Sequence, residues 1–278
     1  MFRVEEIHSF DDPRLAPYRN MGQQKNLEGQ DIFIGEGEKV VVRLLQSHIP
    51  IVSMLVPPGW IKSVEHLLHM RPEDITVFIA EKQVLEQLTG YSFYQGILAV
   101  AKTPSGISLE QLIQGSPRPL FFASADGIGN AENMGALIRN CAAFGAHGLI
   151  LAKNCCDPYL RRSVRSSMGT IFNLPIVRAS HLPSIIETLR SHGVVCVAAH
   201  PHGASKSIHD AQLFKDLCIV FGSEGHGLSD AVIAACDESV SIPMCNQVDS
   251  LNVGSATAVF LNEAQRQRTM AIQVPTQP

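Results

Sequence analysis

Short apolar runs alternate with amphipathic stretches along the second half of the chain, and this alternation is typical of an α/β domain. The apolar runs predict strands over residues 120–124, 149–152, 176–178, 194–199, 218–221 and 240–242. The amphipathic stretches predict helices over residues 133–144, 181–191, 229–236 and 255–267. Because the runs are apolar throughout, we predict a mostly parallel sheet covered by helices on both faces.

The first half shows the same alternation in a smaller α/β unit. Strands are predicted over residues 31–34, 51–56, 75–79 and 96–101. Prolines and glycines are concentrated in residues 104–118, around one short amphipathic turn. We therefore predict a small domain over residues 1–103, a linker over residues 104–118 and a second domain over residues 119–278.

Composition narrows the class of protein. The 278 residues include 22 Lys and Arg against 26 Asp and Glu, which gives a net charge of −4. This charge excludes a basic protein that coats nucleic acid by bulk electrostatics, but it does not exclude a local basic patch. With 45% hydrophobic residues, the chain can form a sizeable core. Its apolar runs are too short to span a membrane and its first residues resemble no secretory signal, so we expect a soluble, cytoplasmic protein.

The cysteines and histidines do not form a metal-binding pattern. The seven cysteines include no C-x-x-C pair, and we interpret them as small core residues in a reducing compartment. His200 and His202 form the only tight histidine pair, without a third ligand nearby in the sequence. We interpret this pair as part of a polar loop and expect no metal site.

Three segments follow predicted strands, where ligands bind in parallel sheets. In the first, residues 126–139, a glycine-rich loop runs into a helix whose buried stripe includes Met134, Leu137 and Ile138. Arg139 must point away from that stripe, where a cation near unpaired backbone N–H groups suits a phosphate. The structural alternative is a solvated arginine on a helix that an asparagine caps.

The second segment, residues 221–229, carries three glycines directly after a strand, and Ser229 is a candidate N-cap for the next helix. It matches neither a Rossmann fingerprint nor a P-loop, so a tight strand-to-helix turn is the alternative. The third segment, residues 242–253, brings Asp249, Ser250 and Asn252 to a helix entrance, and its alternative is a well-capped helix.

The order of the three segments resembles one enzyme family. N-x-G-x-x-x-R at residues 133–139, G-S-E-G-x-G-L at 222–228, and I-P-M at 242–244 followed by S-L-N-V at 250–253 are similar to the three motifs of the SpoU/TrmH family. These proteins are RNA ribose 2′-O-methyltransferases of the SPOUT superfamily. The resemblance covers the whole second domain, and residues 36–39, 44–45 and 95–99 look like the family's amino-terminal substrate-binding domain.

The resemblance implies S-adenosylmethionine as methyl donor, a homodimer and a carboxy-terminal trefoil knot around the cofactor pocket. The cofactor positions would be Gly222, Ile242 and Leu251. The catalytic motif positions would be Asn133, Arg139, Glu224, Ser250 and Asn252. The chain departs from a common form of the family in having Gly254 directly after the valine, which leaves open whether Ser255 supplies the hydroxyl found there.

Methyl transfer to an oxygen needs alignment of the reactants more than a metal. A guanidinium stays protonated in proteins, so we interpret Arg139 as a clamp for a phosphate and a stabiliser of developing alkoxide charge, not as a general base. RNA would be held by the first domain and by a basic cluster of Lys153, Arg161, Arg162 and Arg165, for which a solvated helix face is the alternative.

Two other functions fit parts of the sequence. One is a non-catalytic RNA-binding or assembly protein that retains the fold, and the other is a nucleotide-binding enzyme of ordinary doubly wound type. The polar residues kept in all three segments disfavour the first, and the placement of the glycines disfavours the second. The separate amino-terminal domain favours ribosomal RNA over transfer RNA as the substrate.

Overall fold

The computed structural model describes residues 1–9, 11–19, 31–89, 97–201 and 206–273. The strands are β1 (Phe2–Ile7), β2 (Ile32–Glu36), β3 (Ile51–Val56), β4 (Ile75–Ala80), β5 (Leu98–Lys102), β6 (Phe121–Asp126), β7 (Gly148–Ala152), β8 (Ile176–Ala179), β9 (Val195–Ala199), β10 (Lys206–Ser207), β11 (Leu217–Gly222) and β12 (Glu238–Ser241). The helices are α1 (Ala16–Arg19), α2 (Glu38–Leu45), α3 (Ile61–His69), α4 (Lys82–Thr89), α5 (Leu109–Gly115), α6 (Ala131–Ala143), α7 (Arg161–Ser166), α8 (Leu182–Ser191), α9 (Asp230–Ala235) and α10 (Val253–Gln273).

The chain forms two compact units. The first unit contains Met1–Ser105 and Asp157–Asn173, and the second contains Gly106–Cys156 and Leu174–Pro278. The predicted strands of both halves are present, with ends that differ by up to two residues. Part of the predicted strand at 96–101 and of the motif at 95–99 lies outside the described residues, as does His202.

The first unit is built on a five-stranded mixed sheet in the order β1-β4-β3-β5-β2. Strands β1, β4 and β3 run parallel, whereas β5 is antiparallel to both β3 and β2. Its core includes the fully buried Leu15 and Tyr18, and the Tyr18 hydroxyl lies 2.7 Å from the Ser53 hydroxyl. Burial raises the pKa of Tyr18, so this phenol stays neutral and able to donate that hydrogen bond.

The second unit is built on a seven-stranded parallel sheet in the order β10-β12-β9-β11-β6-β7-β8. The mostly parallel sheet predicted from the sequence is therefore confirmed. Its central strands β6 and β11 are paired so that Asp126 lies opposite Gly222. Because parallel strands end at the same edge, this register brings the loops after β6 and β11 together.

Helix α6 follows the predicted pattern closely. The Asn130 side chain caps it by accepting hydrogen bonds from the backbone N–H groups of Glu132 and Asn133. Met134, Leu137, Ile138 and Cys141 are fully buried along one stripe. Arg139 is exposed, as its position off that stripe predicts. Burial also raises the pKa of the Cys141 thiol to about 12, in keeping with a core residue, whereas Cys245 is exposed.

The predicted linker over residues 104–118 contains a helix. Residues 109–115 form helix α5, which begins with a capping box between Ser108 and Gln111. Leu109 and Leu112 belong to the apolar core of the second unit. The prolines and glycines that suggest a linker terminate this helix and turn the chain around it.

Residues 157–173 lie within the predicted second domain of the sequence but pack with the first unit. The carboxylate of Glu36, which is 5% exposed at the end of β2, accepts hydrogen bonds from Arg161 Nη1 at 3.0 Å and Arg165 Nη1 at 3.1 Å. The Phe33 ring lies 5.1 Å from that of Tyr159 and 5.7 Å from that of Phe172. Two arginines around one buried carboxylate therefore fasten this segment to β2.

None of the helices within the described ranges has the length and hydropathy needed to cross a membrane. In the same part of the chain, no three His, Cys, Asp or Glu side chains are grouped in a way that could hold a metal ion.

The pairing of Glu36 predicts an unfolding phenotype. We expect Glu36→Gln to lower the free energy of unfolding by about 3 kcal/mol, because both arginines lose the charge that compensates their own, and Arg161 is largely buried. Urea-induced unfolding measures this loss. The matched control is Glu38→Gln, which removes an exposed carboxylate two residues away and should cost less than about 1 kcal/mol. Equal losses in the two variants would contradict the role of Glu36.

Candidate active site

A cavity of about 310 Å³ lies in the second unit, beyond the ends of β9, β11 and β12 and beside the start of α10. Apolar side chains form much of its wall, namely Phe221, Ile242, Leu251, Val253 and Phe260. Polar side chains also line it, namely His200, Glu224, His226, Ser241 and Ser250. A mostly apolar pocket with a few converging polar groups is the usual form of a small-molecule site.

The loop after β11 is a tight turn closed by two backbone hydrogen bonds. Ser223 N donates to Gly227 O at 3.1 Å, and Gly227 N donates to Ser223 O at 3.0 Å. Gly227 adopts a φ of +67°, which favours glycine. A Cβ on Gly222 would lie 2.2 Å from the carbonyl carbon of Gly227, so the turn can close only because residue 222 has no side chain. The turn leaves Glu224, Gly225 and His226 exposed at the cavity.

Asn133 joins the three segments that follow strands. Its Nδ2 donates a hydrogen bond to Oε1 of Glu224, and its Oδ1 accepts one from Asn252 Nδ2 at 3.1 Å. Asn252 Oδ1 in turn accepts from the backbone N–H of Gly254 at 2.8 Å. One amide on α6 therefore bridges the turn after β11 and the start of α10.

Asp126 lies outside the cavity lining and holds the start of α9, a role that the sequence did not reveal. It ends β6 with 6% exposure, and its Oδ2 accepts hydrogen bonds from the backbone N–H of Ser229 at 3.0 Å and the Ser229 hydroxyl at 2.9 Å. Its Oδ1 accepts from Asn154 Nδ2 at 3.0 Å. Ser229 was expected to cap α9, but its side chain makes no capping bond because it is turned to Asp126. A lone carboxylate at the end of an apolar central strand is the signal that could have identified Asp126.

The candidate site residues occupy three different places. The predicted cofactor positions Gly222, Ile242 and Leu251 line the cavity, as do Glu224 and Ser250. Asn133 and Asn252 do not line the cavity, and they are joined to it by the hydrogen bond between Asn133 and Glu224. Arg139 is outside the cavity lining, and within the described residues it has neither a hydrogen bond nor an ion pair, so its guanidinium is open to an anion. Ser255 is exposed and does not line the cavity.

The predicted RNA-binding arginines belong to the first unit. Arg161 and Arg165 are paired with Glu36, whereas Arg162 is exposed. The helix face is not purely solvated, because the Arg161 side chain is only 19% exposed. The cluster is not free either, because Arg161 and Arg165 are paired with Glu36.

Comparison with known proteins places this geometry in a family. Residues 121–262 match the SpoU rRNA Methylase family, and residues 36–106 match the family described as RNA 2′-O ribose methyltransferase substrate binding. The chain belongs to the SpoU methyltransferase family. It is therefore an S-adenosylmethionine-dependent RNA methyltransferase, and the doubly wound nucleotide-binding alternative is excluded.

Individual relatives resemble this SpoU methyltransferase over most of its length. A protein of Mycobacterium tuberculosis named as a tRNA/rRNA methyltransferase is 29% identical over 95% of this chain and 92% of its own. The 23S rRNA (guanosine-2′-O-)-methyltransferase RlmB of Photobacterium profundum is 31% identical over 73% of this chain and 83% of its own. An AdoMet-bound rRNA methyltransferase from Sinorhizobium meliloti superposes with a TM-score of 0.82 at 26% identity, covering 95% and 98% of the two chains.

The cavity of this SpoU methyltransferase fits S-adenosylmethionine. Ile242 and Leu251 offer apolar surface of the kind that holds an adenine ring, and the glycines of the turn after β11 expose backbone that a nucleoside can approach closely. When bound, the cofactor supplies a methyl group activated by a positively charged sulfur. The side chains of the chain itself must bind and orient the acceptor and take up its proton.

The closed turn predicts that alanine at residue 222 and alanine at residue 225 affect S-adenosylmethionine binding very differently. Gly222→Ala should weaken S-adenosylmethionine binding at least about tenfold, because its Cβ forces the turn open at the cavity wall. Gly225→Ala, in the same turn, meets no atom within 4 Å and should bind nearly as the parent does. Isothermal titration calorimetry measures both affinities. Equal affinities in the two variants would contradict this account of the turn.

Proposed function

We propose that this SpoU methyltransferase methylates the ribose 2′-hydroxyl of a structured RNA, with ribosomal RNA favoured over transfer RNA. The observation that carries the proposal is the hydrogen-bonded network that links Glu224, in the lining of the cofactor cavity, to Asn133 and Asn252. The match of residues 36–106 to a substrate-binding family of ribose methyltransferases supports the acceptor group. The similarity to RlmB, which is named as acting on 23S rRNA, supports ribosomal RNA.

Arg139 has the properties of a nucleotide clamp. A guanidinium keeps its charge at any working pH, so it cannot accept the proton of a hydroxyl, but it can bind a phosphate through two parallel hydrogen bonds. Its lack of a partner within the described residues leaves those donors available. In this proposal Arg139 orients the nucleotide and stabilises negative charge on the oxygen as the methyl group is transferred.

We propose that only part of the basic cluster contacts RNA. Arg161 serves chiefly to hold residues 157–173 through Glu36, and we propose Arg162 and the exposed edge of Arg165 as the phosphate contacts of the first unit. Lys153, which is exposed, remains a candidate contact in the second unit. A few local contacts of this kind agree with the net charge of −4.

The remaining parts of the proposal come from the family resemblance. We propose that the protein acts as a cytoplasmic homodimer, that its carboxy-terminal segment forms a trefoil knot, and that the reaction needs no metal ion. The non-catalytic alternative would require a protein that keeps Glu224 and Asn252 bonded to Asn133 at the cavity without using them.

A methyl-transfer assay tests the reaction and the acceptor together. Purified protein with tritium-labelled S-adenosylmethionine should label ribosomal RNA more than transfer RNA. The labelled nucleotide should resist alkaline hydrolysis with its 3′ neighbour, because a 2′-O-methyl group blocks the attack that cleaves RNA. Label in alkali-sensitive nucleotides would indicate methylation of a base, and binding of RNA without any label would favour the non-catalytic protein.

Replacement of Arg139 tests its role as a clamp. Arg139→Ala should lower kcat/KM for RNA by about 100-fold or more, since a charge-stabilising donor of this kind contributes about 3 kcal/mol. The affinity for S-adenosylmethionine should change less than about threefold, because Arg139 is outside the cavity lining. Lys215→Ala, which removes another exposed cation of the second unit, is the control. Full activity of Arg139→Ala would refute the clamp.

A further inference from the structure

The cavity holds few groups that can exchange a proton. Among the described residues that line it, three have titratable side chains, His200, Glu224 and His226. Methylation of a hydroxyl releases one proton for each methyl group transferred, and a group that accepts it in the transition state accelerates the reaction. The proposed function therefore calls for a base at this cavity.

The motif residues do not supply that base. Asn133 and Asn252 carry amides, which are not basic at neutral pH, and Arg139 carries a permanent charge. Glu224 is an ionisable acceptor, but one of its oxygens already takes a hydrogen bond from Asn133. Among protein side chains, the imidazole of histidine acts most often as a general acid or base.

His226 places an imidazole at the wall of the cavity. It lies in the turn after β11, two residues from Glu224, and its ring is exposed at the cavity. Within the part of the chain that the structure describes, the ring makes no hydrogen bond or ion pair. Its backbone is held firmly, because His226 N donates to Ser223 Oγ at 3.3 Å inside the turn that Ser223 and Gly227 close.

We propose that His226 is the catalytic base of this methyltransferase. An imidazole nitrogen of His226 accepts the proton of the RNA 2′-hydroxyl while the hydroxyl oxygen forms its bond to the methyl carbon and the methyl–sulfur bond breaks. The protonated ring then releases its proton to water, which it can do because it is exposed. This assignment rests on the proposed function, since it needs a hydroxyl as the acceptor.

The other cavity histidine is less suited to this role. His200 follows β9, its backbone N–H donates to Val240 O at 3.0 Å, and its Nδ1 is buried in the protein. Release of a proton from Nδ1 of His200 to solvent is obstructed.

Several titratable groups lie on the elements around His226. They are His200, Glu224, Asp126 at the end of β6, Asp230 in the first turn of α9 and Asp249 before α10.

A pH–rate profile with chemical rescue tests the proposal. Wild-type kcat/KM for RNA should fall as pH is lowered, because the protonated imidazole cannot accept a proton. His226→Gln should be slower by about 100-fold or more at neutral pH and should lack this acidic limb. Added imidazole should restore activity to His226→Ala. His192→Gln, an exposed histidine at the end of α8 outside the cavity lining, is the control and should keep the wild-type profile.

A second measurement does not depend on turnover. In wild-type protein with isotope-labelled histidine, the ring signal of His226, identified by its absence from His226→Gln, should shift when substrate RNA is added in the presence of S-adenosylhomocysteine. Calorimetry should show the S-adenosylmethionine affinity of His226→Gln within about twofold of the parent.

The outcomes separate this proposal from the proposed function. Wild-type protein that makes no alkali-resistant nucleotide on any RNA would overturn both. Ribose methylation with an unchanged pH profile in His226→Gln, or without rescue by imidazole in His226→Ala, would overturn the role of His226 alone. Loss of S-adenosylmethionine binding in His226→Gln would make His226 a cofactor contact and would also overturn its role as the base.

Discussion

The site depends on the two hydrogen bonds of the Asn133 side-chain amide. The amide donates a hydrogen bond to Glu224 and accepts one from Asn252, so a single group fixes two loops that are 28 residues apart in the chain. An amide can do this because it carries a donor and an acceptor on one rigid plane. The helix that carries it is in turn fixed by its capped start and its buried stripe. The position of Asn133 therefore depends on the cap and the buried stripe of α6.

The parallel sheet explains why these loops meet at all. Asp126 and Gly222 are paired in register at the ends of β6 and β11, and Asp126 then reaches across to the residue before α9. The turn after β11 is thus held from inside by its own backbone bonds and from behind by a buried carboxylate. In a site of this construction, the backbone is fixed while the functional side chains remain exposed.

Local patterns in the sequence predicted ten of the twelve described strands, four helices of the second unit and the three segments around the cavity, because each of these leaves a periodic or compositional trace within a few residues. They did not predict that residues 157–173 pack with the first unit, since Glu36 and its two arginines are 125 and 129 residues apart and no local pattern records an ion pair of that range. Helix α5 was hidden by the prolines and glycines around it, although Leu109 and Leu112 have helical spacing. The importance of Asp126 was hidden because its partners are a backbone N–H and a hydroxyl in another segment.

The attachment of residues 157–173 to β2 has a consequence for how the protein can be made and divided. The chain passes between the two units three times, so neither unit corresponds to one continuous stretch of sequence. During synthesis, about 120 further residues must follow β2 out of the ribosome before Arg161 and Arg165 can pair with Glu36. A fragment that stops before residue 157 would therefore lack the two arginines that bond Glu36 and the two aromatic rings beside Phe33. A gene fragment that encodes the first unit would have to join this segment to the amino-terminal part.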